Sequence, residues 1–161
     1  MINKLHLAMI DLYRGDAKRI QHFCKVHSYA KLIAESEKVD DETLFIIETA
    51  ALTHDIGIHI CEKKYGNCNG KLQEKEGPAI AKILLEQLGY NNEISNRVQY
   101  LIAHHHTYDN INEIDYQILI EADFLVNMSE DNLSKKAVQI AYDKIFKTSC
   151  GKKICKNMFG I

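Results

Sequence analysis

Residues that interrupt regular structure are scarce in this chain. It has one proline, Pro78, and only eight glycines among 161 residues. Because proline and glycine break helices, and because apolar residues recur at helical spacing over long segments, this scarcity favours an all-α fold. The length suits one domain, and an apolar fraction of 46% is enough for a sizeable core. We therefore predict a single all-α domain over residues 1–161, a bundle of about six to seven helices.

The chain also lacks an excess of charge of either sign. Its 20 basic and 22 acidic residues give a formal net charge of −2. Proteins that bind a nucleic-acid duplex usually carry a basic surface, so this balance argues against such a partner. A small phosphate-bearing ligand remains compatible with it, because such a ligand needs only one or two cations.

Long apolar runs and close cysteine pairs are absent as well. No run reaches the roughly 18–20 residues that a membrane span needs, and the N-terminal segment MINKLHLAMIDLYRGDAKR resembles an amphipathic helix rather than a signal peptide. The cysteines are odd in number and lack C-x-x-C spacing, so we expect free thiols in a reducing compartment. A zinc–thiolate site is the alternative, formed by Cys61, Cys68, Cys150 and Cys155. These features predict a cytoplasmic protein without a membrane partner.

Apolar periodicity and capping signals predict seven helices. They are expected over about residues 3–13, 17–36, 40–54, 78–88, 92–105, 114–128 and 133–147. The polar segment EKKYGNCNGKLQEKEG, residues 62–77, is expected to be a long loop and a candidate lid. The C-terminal region, residues 132–161, is expected to pack on the body as a helix and a tail.

Polar residues interrupt two of the most apolar predicted helices. His54 and Asp55 end the third helix in AALTHDIGIH, where Gly57 is expected to give the backbone freedom to turn. An aspartate at the negative end of a helix dipole is unfavourable without a cation. Asp123 lies within the apolar segment ILIEADFLVN, where a buried carboxylate either forms an ion pair or binds a metal. Glu121 lies in the same segment, so one of these two carboxylates is alternatively on the solvated face of the helix.

The second predicted helix carries His22 at the edge of its apolar stripe, where a histidine is either a packed core group or a ligand. Two imidazoles and two carboxylates together suit a divalent ion such as Mn, Fe, Ni, Co, Zn or Mg. Such an ion with an open position activates water for hydrolysis. The run His104–His106 ends the fifth predicted helix, and we expect at most two of its side chains to reach the same site.

The segments RIQHFCKV, THDIG, HHHT and EADFLVN, taken in this order, resemble the HD-domain superfamily of metal-dependent phosphohydrolases. The resemblance extends over about residues 19–127. It implies a helical bundle with a metal between its helices and hydrolysis of a small phosphoester, with a nucleotide as the expected substrate. Carried over residue by residue, it implies four metal ligands: His22, His54, Asp55 and Asp123.

One position departs from the pattern of the superfamily members that hold two metals. Gln73 stands where those members have a further histidine, although Glu74 or Glu76 could replace it. A histidine pair that such members carry falls within the run His104, His105 and His106. We therefore expect one tightly bound ion, with these histidines, Gln73 and Glu74 binding a weaker second ion or a phosphate.

The resemblance also leads to a mechanistic hypothesis. Asp55 holds the metal and takes a proton from the attacking water, whereas Arg19 contacts the substrate phosphate. Lys71, Tyr65 and Tyr108 are further candidate substrate contacts. Two alternatives stay open. A non-catalytic metal- or nucleotide-binding module would fit the glutamine at position 73, whereas a metal-dependent oxygenase is disfavoured because it needs a fuller ligand set.

Overall fold

The computed structural model describes all 161 residues and contains helices but no strand. The nine helices are α1 (Ile2–Leu12), α2 (Ala17–Ser36), α3 (Asp41–Thr53), α4 (Ile58–Tyr65), α5 (Gly70–Gln87), α6 (Asn92–His104), α7 (Ile114–Glu130), α8 (Lys135–Ile145) and α9 (Ser149–Phe159). The all-α prediction is confirmed, but the bundle has more helices than the six to seven that we expected. The two additional ones lie in the segments predicted as a loop and as a tail.

The segment predicted as the long loop is almost entirely helical. The helix α4 ends at Gly66, whose φ of +71° is easy only for glycine, and α5 begins four residues later at Gly70. The side chain of Asn69 caps α5 by accepting a hydrogen bond from Leu72 N, so Pro78 lies inside this helix rather than at its start. The expected loop, and the lid that rested on it, are therefore wrong.

The C-terminal residues 149–159 form α9, which packs against α2, α7 and α8. Glu121 of α7 is fully buried and holds the start of α9. Its carboxylate accepts hydrogen bonds from the backbone N–H groups of Lys147 and Thr148 and from the Thr148 hydroxyl. The alternative that one of Glu121 and Asp123 is solvated is wrong, because both carboxylates are buried.

The helices α2, α3 and α7 pack against one another at the centre of the bundle, and α3 also packs against α6. Every residue of α3 from Ile47 to Thr53 is buried, which explains why this helix is apolar on all sides. The segment Asp41–Tyr65 is long and apolar enough to cross a membrane, but 67% of its most apolar window is buried inside the bundle. A buried core helix passes the same test of length and composition.

Candidate metal centre

The turn between α3 and α4 brings His54 and Asp55 to one end of the bundle. His54 is the C-cap of α3, and Gly57 lies in the turn that follows. The φ of Gly57 is −76°, an ordinary value, so its backbone needs no special freedom. A Cβ at this position would lie 2.9 Å from the backbone nitrogen of Gly77 in α5. Gly57 is thus required for close approach of the turn to α5, not for the backbone freedom that we expected.

Four side chains from three separate parts of the chain converge at this end. The Nε2 atoms of His22 and His54 are 3.2 Å apart. Asp123 Oδ1 lies 3.2 Å from His22 Nε2 and 3.5 Å from His54 Nε2. Asp55 Oδ2 lies 3.6 Å from both ring nitrogens. Ligand atoms that each lie about 2.1 Å from one ion are separated by about 3.0–3.4 Å, so these four atoms are spaced to hold a divalent ion after small shifts.

The other ring nitrogen of each histidine fixes its orientation. His22 Nδ1 lies 3.1 Å from Glu130 Oε2, and His54 Nδ1 lies 2.9 Å from the carbonyl oxygen of Ala51. These partners are acceptors, so Nδ1 carries the proton in both neutral rings. The two Nε2 lone pairs then face each other and the carboxylate of Asp123. Such a set of acceptors needs a cation or a shared proton between its members, which favours a metal site.

The charges of the group influence one another strongly. Burial by itself lowers the pKa of His54, but the nearby carboxylates of Asp55 and Asp123 outweigh it and raise the pKa to about 9. Burial opposes the ionised form of Asp55, yet the imidazoles of His54 and His105 lower its pKa to about 2. The carboxylates of Asp55 and Asp123 therefore favour positive charge among them, which a proton supplies in the ion-free protein.

Residues outside the motif hold these side chains in place. The Asn127 amide donates to Asp123 Oδ1 over 2.8 Å, and the hydroxyl of Tyr13, which caps α1, donates to the carbonyl oxygen of Asp55 over 2.7 Å. Tyr13, Asn127 and Glu130 were not predicted from the sequence as parts of the site. A signal existed for the last two, because they follow Asp123 by four and seven residues and share its face of α7.

A second group of ligand atoms adjoins the first through Asp55. Asp55, His105 and His106 each offer an atom within 4.8 Å of the other two. His105 Nε2 lies 3.5 Å from Asp55 Oδ1 and 3.3 Å from Gln73 Oε1, and His106 Nε2 lies 2.9 Å from the same amide oxygen. Gln73 thus offers an oxygen where a further histidine was expected. The two carboxylate oxygens of Asp55 point to different groups, as a ligand shared between two ions would.

Two residues predicted for this second group, His104 and Glu74, and the predicted substrate contact Lys71 lie elsewhere. His104 stacks on Tyr100 and contacts the Tyr100 carbonyl oxygen through Nδ1. Glu74 accepts hydrogen bonds from His106 N and from the Thr107 hydroxyl, so it supports the histidine run without joining the group. Lys71 is paired with Glu74 over 2.8 Å and is not among the residues that line the cavity described next.

A cavity of about 250 Å³ opens beside the first group. His22 and Asp55 form part of its wall, together with Lys18, Arg19 and Asn127. The Arg19 guanidinium donates to Asp16 Oδ2 and to Glu62 Oε1, over 2.5 Å each, which holds it at the rim. Solvent and a small ligand therefore have a path to the ligand atoms, as a catalytic metal site requires.

Comparison with known proteins gives a consistent result. The HD domain model matches residues 19–147, further than the motif region of about 19–127. The chain is similar to the crystal structure of a predicted HD superfamily hydrolase from an uncultured Thermotogales bacterium, with a TM-score of 0.70 and 24% identity over 98% of this chain and 84% of that chain. At this identity the likeness shows the fold. A comparison with curated proteins gives no match.

The matched region contains every residue of the two ligand groups, and it spans well over half of the chain. The order of His22, the His54–Asp55 pair and Asp123 agrees with it. The chain belongs to the HD domain family.

Proposed function

We propose that the protein is a metal-dependent phosphohydrolase that acts on a small phosphoester, with a nucleotide as the expected substrate. The observation that carries this proposal is the convergence of two imidazole nitrogens and two carboxylate oxygens beside an open cavity. A divalent ion in such a site lowers the pKa of a coordinated water and withdraws charge from a phosphoryl oxygen. Mn, Fe, Ni, Co, Zn and Mg all accept nitrogen and oxygen ligands of this kind.

Different residues are proposed to bind the ion, to accept a proton and to bind the substrate phosphate. His22, His54 and Asp123 are buried and rigidly hydrogen-bonded, so their role is to hold the ion. Asp55 lines the cavity and is the proposed proton acceptor for the attacking water. Arg19 uses only part of its donor set on Asp16 and Glu62, which leaves N–H groups at the rim for a substrate phosphate.

The second group of ligand atoms supports a weaker second ion or a bound phosphate. Burial and the neighbouring His105 lower the pKa of His106 to about 4, so this ring is neutral at neutral pH. A neutral imidazole is a ligand rather than a proton donor, which argues against His106 as the group that protonates the leaving oxygen.

A non-catalytic metal- or nucleotide-binding module is the second candidate function. The observation that favours it is Gln73, whose amide oxygen lies 2.9 Å from His106 Nε2. A neutral amide is a weaker ligand than an imidazole or a carboxylate, so the second group is less able to complete a two-metal catalytic centre.

The experiment that separates the two functions is a hydrolysis screen. Chelator-treated protein is supplied with each candidate metal and tested on phosphomonoesters and phosphodiesters. We expect metal-dependent turnover that falls by at least about 100-fold in Asp55→Asn. The matched control is Asp11→Asn, an exposed aspartate on α1. Bound metal without turnover of any phosphoester would support the binding module and contradict the hydrolase.

A further inference from the structure

A second cavity, of about 350 Å³, lies next to the ligand groups. Asn127 and Asp131 line both this cavity and the one beside Asp55, so the two are neighbours across α7 and its C-terminal end. His106 of the second ligand group forms part of its wall. A ligand with one end against Asp55 and the other in the second cavity would therefore pass beside Asn127 and Asp131.

The wall of this cavity is mainly apolar and aromatic. Tyr108 and Phe124 meet edge to face, with ring centroids 5.1 Å apart. Met128 is buried, whereas Tyr108 and Leu133 remain 42% and 43% exposed although both are large apolar side chains. Apolar surface left open beside a polar site is typical of a ligand subsite, because burying it against a ligand is favourable.

The charged residues in the wall of the second cavity indicate which ligand groups it can bind. No lysine or arginine lines the second cavity, and Asp131 supplies its one carboxylate. A phosphate chain or another anion would therefore meet no cation there. A flat aromatic group fits better, since it can stack on the tyrosine ring and can donate an N–H to Asp131.

We propose that this cavity is the leaving-group subsite and that it selects phosphoesters that carry a flat, uncharged aromatic group. Tyr108 and Leu133 are the specificity-determining residues. The inference rests on the proposed phosphohydrolase function, because that function places the phosphoryl group against Asp55. It adds where the organic part of the substrate lies and which side chains recognise it.

The test compares adenosine 5′-monophosphate with ribose 5-phosphate in Mn²⁺-loaded protein. The two probes carry the same phosphate on the same primary oxygen, and only the first has an aromatic group. We expect kcat/KM to be at least about tenfold higher for adenosine 5′-monophosphate. Tyr108→Ala should remove most of that preference, by raising KM for adenosine 5′-monophosphate far more than KM for ribose 5-phosphate, and Tyr108→Phe should retain the preference.

Two further variants serve as controls, one at a second residue of the cavity and one outside it. Leu133→Ala, in the turn after α7, should also reduce the preference, whereas Leu32→Ala, at an exposed leucine of α2 outside the cavity, should not. Equal kcat/KM for the two probes, or an equal loss for both in Tyr108→Ala, would overturn the subsite.

Direct binding of the same two probes to the metal-loaded protein, measured by calorimetry, separates this inference from the proposed function. Tighter binding of adenosine 5′-monophosphate without turnover would support the subsite while contradicting the hydrolase. Equal binding of the two probes would overturn the subsite whether or not either is hydrolysed.

Discussion

Asp55 is the residue on which the candidate site depends most. Its Oδ2 faces the two histidines of the first group, and its Oδ1 faces His105 of the second. Its carbonyl oxygen is held by the Tyr13 hydroxyl. The sequence motif predicts this residue as a ligand, but the hydrogen bond from Tyr13 could not be predicted, because it joins α1 to a turn 42 residues away.

Glu130 fixes the ring of His22, and we expect its substitution to weaken metal binding. In Glu130→Gln the charged acceptor at Nδ1 is lost, so the ring becomes less basic and less well oriented. Removing such a partner typically costs about 10–100-fold in metal affinity. Titration of the ion-free protein with Mn²⁺ measures the change. Glu86→Gln, an exposed glutamate on α5, is the control, and an equal affinity for both variants would contradict the role of Glu130.

The raised pKa of His54 predicts how the ion-free protein responds to pH. The folded pKa of about 9 exceeds the ordinary value of 6.5, so protonation of His54 stabilises the fold. This contribution is complete below pH 6.5 and is lost as the pH rises through 9, with a size of at most about 3 kcal/mol. Chemical unfolding at several pH values measures it. A wild-type profile as flat as that of His54→Asn would contradict the pKa shift.

Metal binding should show the opposite dependence on pH. Because the ion needs a neutral His54, binding at pH 7.5 is expected to release about one proton or more, and affinity should rise up to about pH 9. Calorimetry in buffers of different ionisation enthalpy counts the released protons. Binding without proton release would show that His54 is not a ligand.

At the scale of helices, the site depends on how α2, α3 and α7 meet the turn before α4. The sequence predicts these three helices well, because each is long and α3 and α7 are rich in apolar residues. The prediction fails for α4 and for the part of α5 before Pro78, because their exposed surfaces are polar and several glycines accompany them. The cap at Asn69 was the signal that could have located the start of α5.

The close approach of Gly57 to Gly77 predicts the effect of a single methyl group. In Gly57→Ala the new Cβ meets backbone atoms of α5 that cannot move aside easily. We expect a loss of about 1–3 kcal/mol in the free energy of unfolding, together with weaker Mn²⁺ binding as Asp55 is displaced. Gly89→Ala is the control, since its φ of +82° costs stability but its Cβ has open space far from the ligands. Unchanged Mn²⁺ affinity in Gly57→Ala would contradict the coupling.

At the scale of the whole molecule, the all-α class and the four side chains that converge followed from sequence, whereas the anchoring of α9 did not. Composition predicts the all-α class, and the order of the motif residues predicts the four side chains. The anchoring of α9 depends on Glu121, which is buried on the same helix as Asp123. No local sequence pattern distinguishes the roles of these two carboxylates. Only the packed structure shows that one faces the ligands and the other the backbone N–H groups before α9.

Glu121 should therefore matter for folding and not for metal binding. Glu121→Ala removes the acceptor of the buried Thr148 N–H and of the partly buried Lys147 N–H, and we expect a loss of about 2–4 kcal/mol in the free energy of unfolding. Glu121→Gln keeps one acceptor oxygen and should lose less. Mn²⁺ affinity should be unchanged in both folded variants. Equal stability of Glu121→Ala and the wild type would contradict this role.

The central claim is that His22, His54, Asp55 and Asp123 hold one divalent ion, and metal stoichiometry tests it most directly. Elemental analysis of protein equilibrated with Mn²⁺ should give at least one tightly bound ion per wild-type chain. His54→Ala should bind far less, whereas His27→Ala, which removes a histidine paired with Glu48 away from the site, should bind as the wild type does. Equal metal content in His54→Ala and the wild type would contradict the account.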